Sequence, residues 1–374
     1  MPAKTLFDIL GILVYHFIMI SELTVHDVAD RVAALACVNP LFAGRDLVVT
    51  VIANEKAGGF TQKKKSRKNK VLFEKAKKRA LQKETVTASV NKRVFVSEYP
   101  RHGEELASAE VSQFLAADNP NQIHLVVAAG GDGTSLEVQT GLYKAALSME
   151  SKKKAVMNNI VVFRLPLGTG NDGTDGRTVE ESLAILEGPN HLALSKVVTV
   201  RCNPQVSENE WYSFNIASIG LDAYVVYKTN QMKSVIPGNS YHLWVNLAAL
   251  GYNFAFPPFP GRIELFDENG QKTEEIERNF EMLVFGLSGH RFYGGGHYIL
   301  PNNHNVCIPP RCSAAEIAVL SGKFVDGSFV GTKYGQLFTA NKAVLHYDHD
   351  LYCQLDGEEH LLTPAHFPVE MSIT

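Results

Sequence analysis

Two glycine-rich segments carry the residue types best suited to chemistry. They are Gly130-Gly131-Asp132-Gly133-Thr134 and Pro166-Leu167-Gly168-Thr169-Gly170-Asn171-Asp172. Each follows an apolar run of β type, residues 124–129 and 160–165. Glycine lets the backbone reach positive φ and approach a ligand closely. The N–H groups of such a loop, with a helix N-terminus behind it, suit phosphate oxygens. Asp132 and Asp172 place carboxylates where a phosphate-bound Mg²⁺ would sit. One glycine turn between strand and helix is most often only a tight turn. Two of them, each with an acid and a threonine, favour a shared ligand. The first lacks the spacing of a dinucleotide fingerprint, and no Gly-Lys-Ser/Thr follows it as in a Walker A loop.

These loops need strands to deliver them. Residues 46–52 read as a buried first strand, followed by a turn at 54–59, a basic helix, a strand at 93–96 and a helix over 104–115. Strands alternating with helices predict a parallel α/β sheet whose ligand sits at the carboxyl ends of the strands. After about residue 196 the texture changes. Short strands at 196–201, 211–218, 262–266, 279–288, 315–320 and 342–347 predict an antiparallel sandwich. Residues 225–251 read as a helical insertion, and Phe256-Pro257-Pro258-Phe259-Pro260 as a rigid connector.

The chain has 374 residues, a net charge of −3, 45% hydrophobic and 20% charged residues. That is ordinary globular composition for one large or two medium domains. Residues 63–79 depart from it, with ten Lys/Arg, one acid and a net +9. Such a segment suits nucleotide phosphates or an anionic membrane surface, or it is a solvated surface helix. No aromatics interleave with its first basic residues, which argues against nucleic acid. Five scattered cysteines favour free thiols in a reducing, cytoplasmic setting. The apolar run 6–20 is short for a membrane span and contains Asp8 and His16. Together with the apolar helical face over 25–36 it predicts an added N-terminal helix that packs on the domain or touches a membrane; Met19 is an alternative start.

The pair G-G-D-G-T and P-L-G-T-G-N-D resembles the catalytic domain of diacylglycerol kinases, sphingosine kinases and bacterial lipid kinases. That superfamily includes NAD kinases and phosphofructokinases. Weaker matches fall in the same order: Asn54-Glu55-Lys56-Ala57-Gly58, Ser97, residues 214–223, Gly294-Gly295-Gly296 with Pro301, and Gln354-Leu355-Asp356-Gly357-Glu358. The resemblance spans roughly residues 45–370. It implies an α/β N-terminal domain with a parallel sheet of the NAD kinase/phosphofructokinase type, and a mainly antiparallel β-sandwich second domain. The expected divisions are a helical extension at 1–43, a nucleotide domain at 44–195, a lipid-substrate domain at 196–361, and a segment at 362–374 returning to the first domain.

The activity the resemblance implies is transfer of the γ-phosphate of ATP, with Mg²⁺, to a lipid hydroxyl of diacylglycerol or a sphingoid base at a membrane surface. A soluble acceptor such as NAD is the alternative, which G-T-G-N-D disfavours; a non-catalytic nucleotide sensor is another. ATP would be held by Asn54, Ser97, Gly130, Gly131, Asp132, Gly133, Thr134, Gly168, Thr169, Gly170 and Asn171. Mg²⁺ would be held by Asp132 and Asp172, although Asp172 also fits a helix cap. Catalysis would fall to Glu358, Asp356 and Asp132, with Glu358 preferred as base. Without the resemblance, Asp356-Gly357-Glu358 reads as a hairpin turn with solvated acids. Where bacterial members carry an Asp-Gly metal segment, residues 302–306 contain no acid, so that site is not carried over. His290, His297 and His304 read as loop histidines. Phe254, Phe256, Phe259 and Trp244 could line an acyl channel, but core packing is the better reading. Exposed sheet edges leave a homodimer open.

Overall fold

The computed structural model describes residues 21–149, 151–168, 171–188, 192–233, 249, 251–289, 291–293 and 297–374. The run 6–20, Met19, Thr169, Gly170, Trp244, His290 and Gly294-Gly295-Gly296 lie outside the described residues. The chain divides into two units, Met1–Ala193 and Leu194–Thr374.

In the first unit, β1 (Asp46–Ala53), β2 (Ser89–Val96), β3 (Gln122–Gly130) and β4 (Ile160–Pro166) form a parallel sheet in the order β2-β1-β3-β4. β1 and β3 are buried almost throughout, as central strands covered by helices on both faces must be. One face packs against α1 (Val25–Cys37), α3 (Lys63–Ala80) and α7 (Val179–Glu187), through Val28, Val32, Phe73, Ala76 and Leu183. A one-turn helix, α2 (Gly58–Thr61), precedes α3. The other face packs against α4 (His102–Ala117), α5 (Asp132–Ser148) and α6 (Lys153–Asn159), through Val111, Val138 and Val156. Helix α1 begins with a capping box between Thr24 and Asp27. Its apolar face joins the same core as β1 and β3, so residues 25–37 are an integral layer of this unit.

The second unit contains two six-stranded antiparallel sheets. Its strands are β5 (Val198–Arg201), β6 (Glu210–Ser213), β7 (Ile216–Gly220), β8 (Pro260–Phe266), β9 (Lys272–Asn279), β10 (Met282–Gly286), β11 (Arg291–Tyr293), β12 (His297–Leu300), β13 (Val306–Cys307), β14 (Leu337–Phe338), β15 (Lys342–His346), β16 (Leu351–Leu355), β17 (Glu358–Leu362) and β18 (Val369–Ile373). One sheet runs β14-β13-β10-β7-β16-β17, the other β6-β5-β18-β15-β8-β9, and β11 and β12 form a separate pair. Val200, Ile219, Leu265, Phe285, Leu345, Leu355 and Met371 from both sheets share one core, which makes the pair a sandwich. Helix α8 (Leu221–Lys233) follows β7 directly.

Two expectations are corrected. Residues 315–320 are not a strand but part of helix α9 (Ala314–Asp326), started by a capping box between Ser313 and Glu316. The segment 362–374 does not return to the first domain: β18 is hydrogen-bonded between β5 and β15, inside the second unit's sheet.

Candidate active site

The four parallel strands end in register. Ala53 pairs with Val96 and with Ala129, and Gly130 pairs with Pro166. Asn54, Ser97, Gly131 to Thr134, Gly168, Asn171 and Asp172 therefore leave the sheet at one edge, its carboxyl end. Short backbone bonds tie these loops together. Asn54 N–H donates to Ala129 O at 3.1 Å, Ser97 N–H to Ala53 O at 2.8 Å, Leu167 N–H to Gly130 O at 2.7 Å and Gly59 N–H to Leu167 O at 2.7 Å. Asn54 Oδ1 also accepts Lys56 N–H at 3.0 Å, fixing the turn after β1.

Gly130 is required sterically. A Cβ there would lie 2.3 Å from Thr134 Oγ1 and 2.6 Å from Thr134 Cβ. Gly131 is the N-cap of α5, and no side chain caps this helix. First-turn N–H groups of an uncapped helix are suited to an anion. The neighbouring helix α4 differs: Glu137 accepts Arg101 N–H at 2.9 Å and Gly103 N–H at 3.0 Å, so a carboxylate already occupies that terminus.

Asp132 Oδ1 accepts Gly173 N–H at 3.0 Å and so joins the first loop to the second. The second loop is anchored at its base by Arg164. Its guanidinium meets Asp175 Oδ1 at 2.6 Å while its N–H donates to Asp175 Oδ2 at 2.7 Å. Asp172 is not a helix cap, because the N-cap of α7 is Thr178, which accepts Glu181 N–H at 3.1 Å. Asn171 Oδ1 is buried and has no hydrogen-bond partner among the described residues, an acceptor left over in a site that otherwise presents donors.

Lys65 is a site residue that sequence reading did not single out. Its Nζ donates to Gly168 O at 2.8 Å. Burial holds its pKa below the ordinary lysine value, and no carboxylate opposes that shift. The buried stripe Ser66, Asn69, Phe73, Ala76 and Ala80 fixes the rotation of α3. That phase, legible at helical spacing, separates Lys65 from the solvent-facing lysines.

In the second unit, Asp356 and Gly357 link β16 to β17 with φ values of 49° and 97°. Leu355 pairs with Glu358, which makes this a two-residue hairpin turn of the primed type. The two acids separate completely. Asp356 turns inward and accepts Ser213 Oγ–H at 2.7 Å, Phe214 N–H at 2.6 Å, Asn215 N–H at 3.1 Å and Ile216 N–H at 2.9 Å. Burial pushes its carboxyl above the ordinary aspartate value, and these four donors pull the other way. With its oxygens so occupied, Asp356 is a brace for the chain entering β7. Glu358 is exposed.

The Asn302 to Val306 stretch does not fit a hard cation. Asn305 is buried and donates from Nδ2 to Gly286 O at 3.1 Å and Ala340 O at 2.9 Å, while Oδ1 accepts Ala340 N–H at 3.0 Å. A neutral carboxamide bridges the three strand ends. Among the described residues no group of three or more His, Cys, Asp or Glu could hold a metal ion. A Mg²⁺ bound chiefly through phosphates needs only one or two carboxylates, and Asp132 with Asp172 meets that requirement. The five cysteines are free thiols, with Cys202 and Cys312 pushed up to about 12 by burial. No helix among the described residues is long and apolar enough to cross a membrane.

Comparison with known proteins agrees with this geometry. Residues 48–183 match the family described as diacylglycerol kinase catalytic domain. The chain is 26% identical over 231 residues to "Putative lipid kinase YtlR" of Bacillus subtilis, covering 60% of this chain and 66% of that protein. It is 28% identical over 193 residues to "Probable lipid kinase YegS-like" of Cronobacter sakazakii, covering 50% of this chain and 54% of that protein. The chain thus spans about half to two thirds of the length of the curated relatives it matches. A solved structure, "A putative diacylglycerol kinase from Bacillus anthracis str. Sterne", superposes with a TM-score of 0.50 at 16% identity, covering 88% of this chain and 94% of that one. At that identity the likeness shows the fold.

Proposed function

With residues 48–183 belonging to the diacylglycerol kinase catalytic-domain family, we propose that this chain is a lipid kinase that transfers the γ-phosphate of Mg-ATP to a lipid hydroxyl. The observation that carries the reading is the shared sheet edge, where two glycine-rich loops are joined by Asp132 and faced by the half-buried ammonium of Lys65. Phosphoryl transfer depends on positioning and on neutralising charge rather than on covalent chemistry. The residues at this edge divide those tasks. Gly130, Gly131, Gly133 and Thr134, at the start of α5, present N–H and hydroxyl donors to phosphate oxygens. Asn54, Ser97, Gly168, Thr169, Gly170 and Asn171 shape the rest of the nucleotide site. Lys65 adds a fixed positive charge.

Asp132 and Asp172 would hold Mg²⁺, which supplies charge neutralisation at the transferring phosphate. Glu358 serves as base toward the acceptor hydroxyl, a role that contributes typically 10²–10⁴-fold. Asp356 braces the chain that enters β7. The acceptor is a membrane alcohol, diacylglycerol or a sphingoid base, and the basic surface of α3 is the part of the chain suited to an anionic bilayer.

The test is transfer of labelled γ-phosphate from Mg-ATP to lipids presented in vesicles, with NAD as a soluble control and Glu358→Gln alongside. Labelled lipid that disappears in the variant supports the reading and names the lipid. Labelled NADP would replace it with a soluble-substrate kinase. Nucleotide binding without any labelled product would replace it with a sensor.

A further inference from the structure

The turn that carries Glu358 is gripped by a hydrogen-bond chain unrelated to Asp356. Gln354 on β16 pairs directly across from Ser218 on β7. Their strand neighbours Cys353, Leu355, Ala217 and Ile219 point into the sandwich core, so by strand alternation Gln354 and Ser218 share the opposite face. There they meet Asp222, a partly buried carboxylate in the first turn of α8. Ser218 Oγ–H donates to Asp222 Oδ2 at 2.5 Å. Gln354 Nε2 donates to Ser218 Oγ at 2.9 Å and to Asp222 Oδ2 at 3.3 Å, while Gln354 Oε1 accepts Gly357 N–H at 2.9 Å. Tyr293 and His297 both favour the ionised form of Asp222.

The direction of this chain is fixed by chemistry. A carboxylate only accepts, so the Gln354 amide must turn its nitrogen toward Asp222 and its oxygen toward Gly357. A flipped amide would set an oxygen against a carboxylate and an –NH₂ against the Gly357 N–H. The same helix also holds the other side of that peptide: Asn230 Nδ2 donates to Gly357 O at 3.2 Å and to Glu359 Oε2 at 2.5 Å. Gly357 is thus held at both its N–H and its C=O.

We propose that Asp222 and Gln354 are positioning residues, which lock the Asp356-Gly357-Glu358 turn in the single orientation from which Glu358 works. The catalytic half of this inference rests on the lipid kinase reading; the structural half does not. The experiment therefore has two readouts, amide hydrogen exchange at the turn and the split between kcat and KM for ATP. Gln354→Glu sets one carboxylate against another and breaks the donor–acceptor order, whereas Asp222→Asn alone still offers an acceptor oxygen to Ser218 and Gln354. The double variant Asp222→Asn/Gln354→Glu exchanges the donor and the acceptor and restores complementarity.

The loss of one hydrogen bond predicts roughly tenfold faster exchange at Gly357 in Gln354→Glu, with Asp222→Asn alone close to wild type. It also predicts a fall in kcat of about 10²-fold, as for a displaced catalytic group, with KM for ATP unchanged. The double variant should recover both, the non-additivity expected of a coupled pair. Unchanged exchange in Gln354→Glu overturns the inference, and so does a kcat loss that the double variant fails to rescue. Where a charge-altering variant does not fold, Gln354→Met keeps the volume and removes both bonds; exchange at Gly357 must then rise in the same way, or the inference fails. Should the wild-type chain transfer no phosphate, the exchange readout alone decides whether Asp222 and Gln354 hold the turn.

Discussion

Asp132 Oδ1 accepts the Gly173 N–H at 3.0 Å, so a single carboxylate in the first glycine-rich loop sets the position of the second. The bond uses one oxygen of a group whose charge the proposed chemistry also needs. Structure and charge can be separated by substitution. Asp132→Asn keeps an oxygen for Gly173 and removes the charge; Asp132→Ala removes both. The Asn variant should unfold close to wild type, while the Ala variant should lose on the order of 1–3 kcal/mol. Both should lose at least about 10²-fold in turnover, as expected when a group stabilising transition-state charge is removed. Thermal unfolding with single-turnover transfer checks this, and an Asn variant with wild-type turnover would refute the charge role.

Lys65 makes a different prediction. Its half-buried ammonium meets a carbonyl and no carboxylate, an arrangement that does little for the stability of the empty protein. Lys65→Met should leave the melting temperature unchanged or raise it. ATP affinity should fall by roughly tenfold or more, since a hydrogen bond to a charged group contributes about 1.5–3 kcal/mol. Titration calorimetry with ATP measures the loss. Unchanged affinity would remove Lys65 from the site.

The residues differ in how far sequence alone could place them. The two glycine loops were legible because turn chemistry is local and each follows an apolar strand. Their meeting at one edge follows from parallel pairing in register. Lys65 was hidden among ten similar basic residues, and only the phase of α3 sets it apart. Residues 315–320 were read as a strand from their apolar content, although the Ser313 and Glu316 capping pair marked a helix. The placement of β18 and the inward turn of Asp356 rest on partners more than 100 residues away, at β5 and at Ser213 to Ile216. No local pattern encodes such partners.

Asn305 joins Gly286 and Ala340 through its amide alone, which gives a prediction about metal. Removing its three bonds to Gly286 and Ala340 should cost about 2–4 kcal/mol in Asn305→Ala, because buried polar groups are left unpaired. Asn305→Asp should also destabilise, by facing a carboxylate with the two carbonyl oxygens that Nδ2 now serves. Millimolar Mg²⁺ without nucleotide should rescue neither variant in thermal unfolding. Recovery of Asn305→Asp by Mg²⁺ would show that the loop can still accept a cation.

Glu281 should make stability depend on pH. It is 2% exposed. Oε2 accepts Cys312 N–H at 2.8 Å, with Arg311 Nε 3.6 Å away, and Oε1 has no partner among the described residues. Burial lifts its pKa from 4.5 to about 7. The folded state therefore holds this proton more tightly than the unfolded chain. The stability it contributes is complete below the unfolded value and is lost as pH rises through about 7. The loss is on the order of 3 kcal/mol between pH 4.5 and pH 7. Glu281→Gln should flatten this part of the pH profile in denaturant unfolding, and an equal slope in both proteins would count against it.

Asp356 and Glu358 stand two residues apart and should fail in opposite ways. Asp356 accepts four hydrogen bonds and holds the entry to β7. Asp356→Asn replaces an acceptor with a donor that faces donors, so it should cost about 2–4 kcal/mol as buried N–H groups lose their partner. Its effect on turnover should follow the folded fraction. Glu358 is exposed, so, compared with Asp356→Asn, Glu358→Gln should melt closer to wild type. Its transfer rate should still fall by at least about 10²-fold, with KM for ATP unchanged, because a general base is removed while the nucleotide site stays intact. Melting curves and initial rates on the two variants decide the matter. If Asp356→Asn is stable but inactive and Glu358→Gln is active, the base is Asp356, and the inward carboxylate must leave its four donors during turnover.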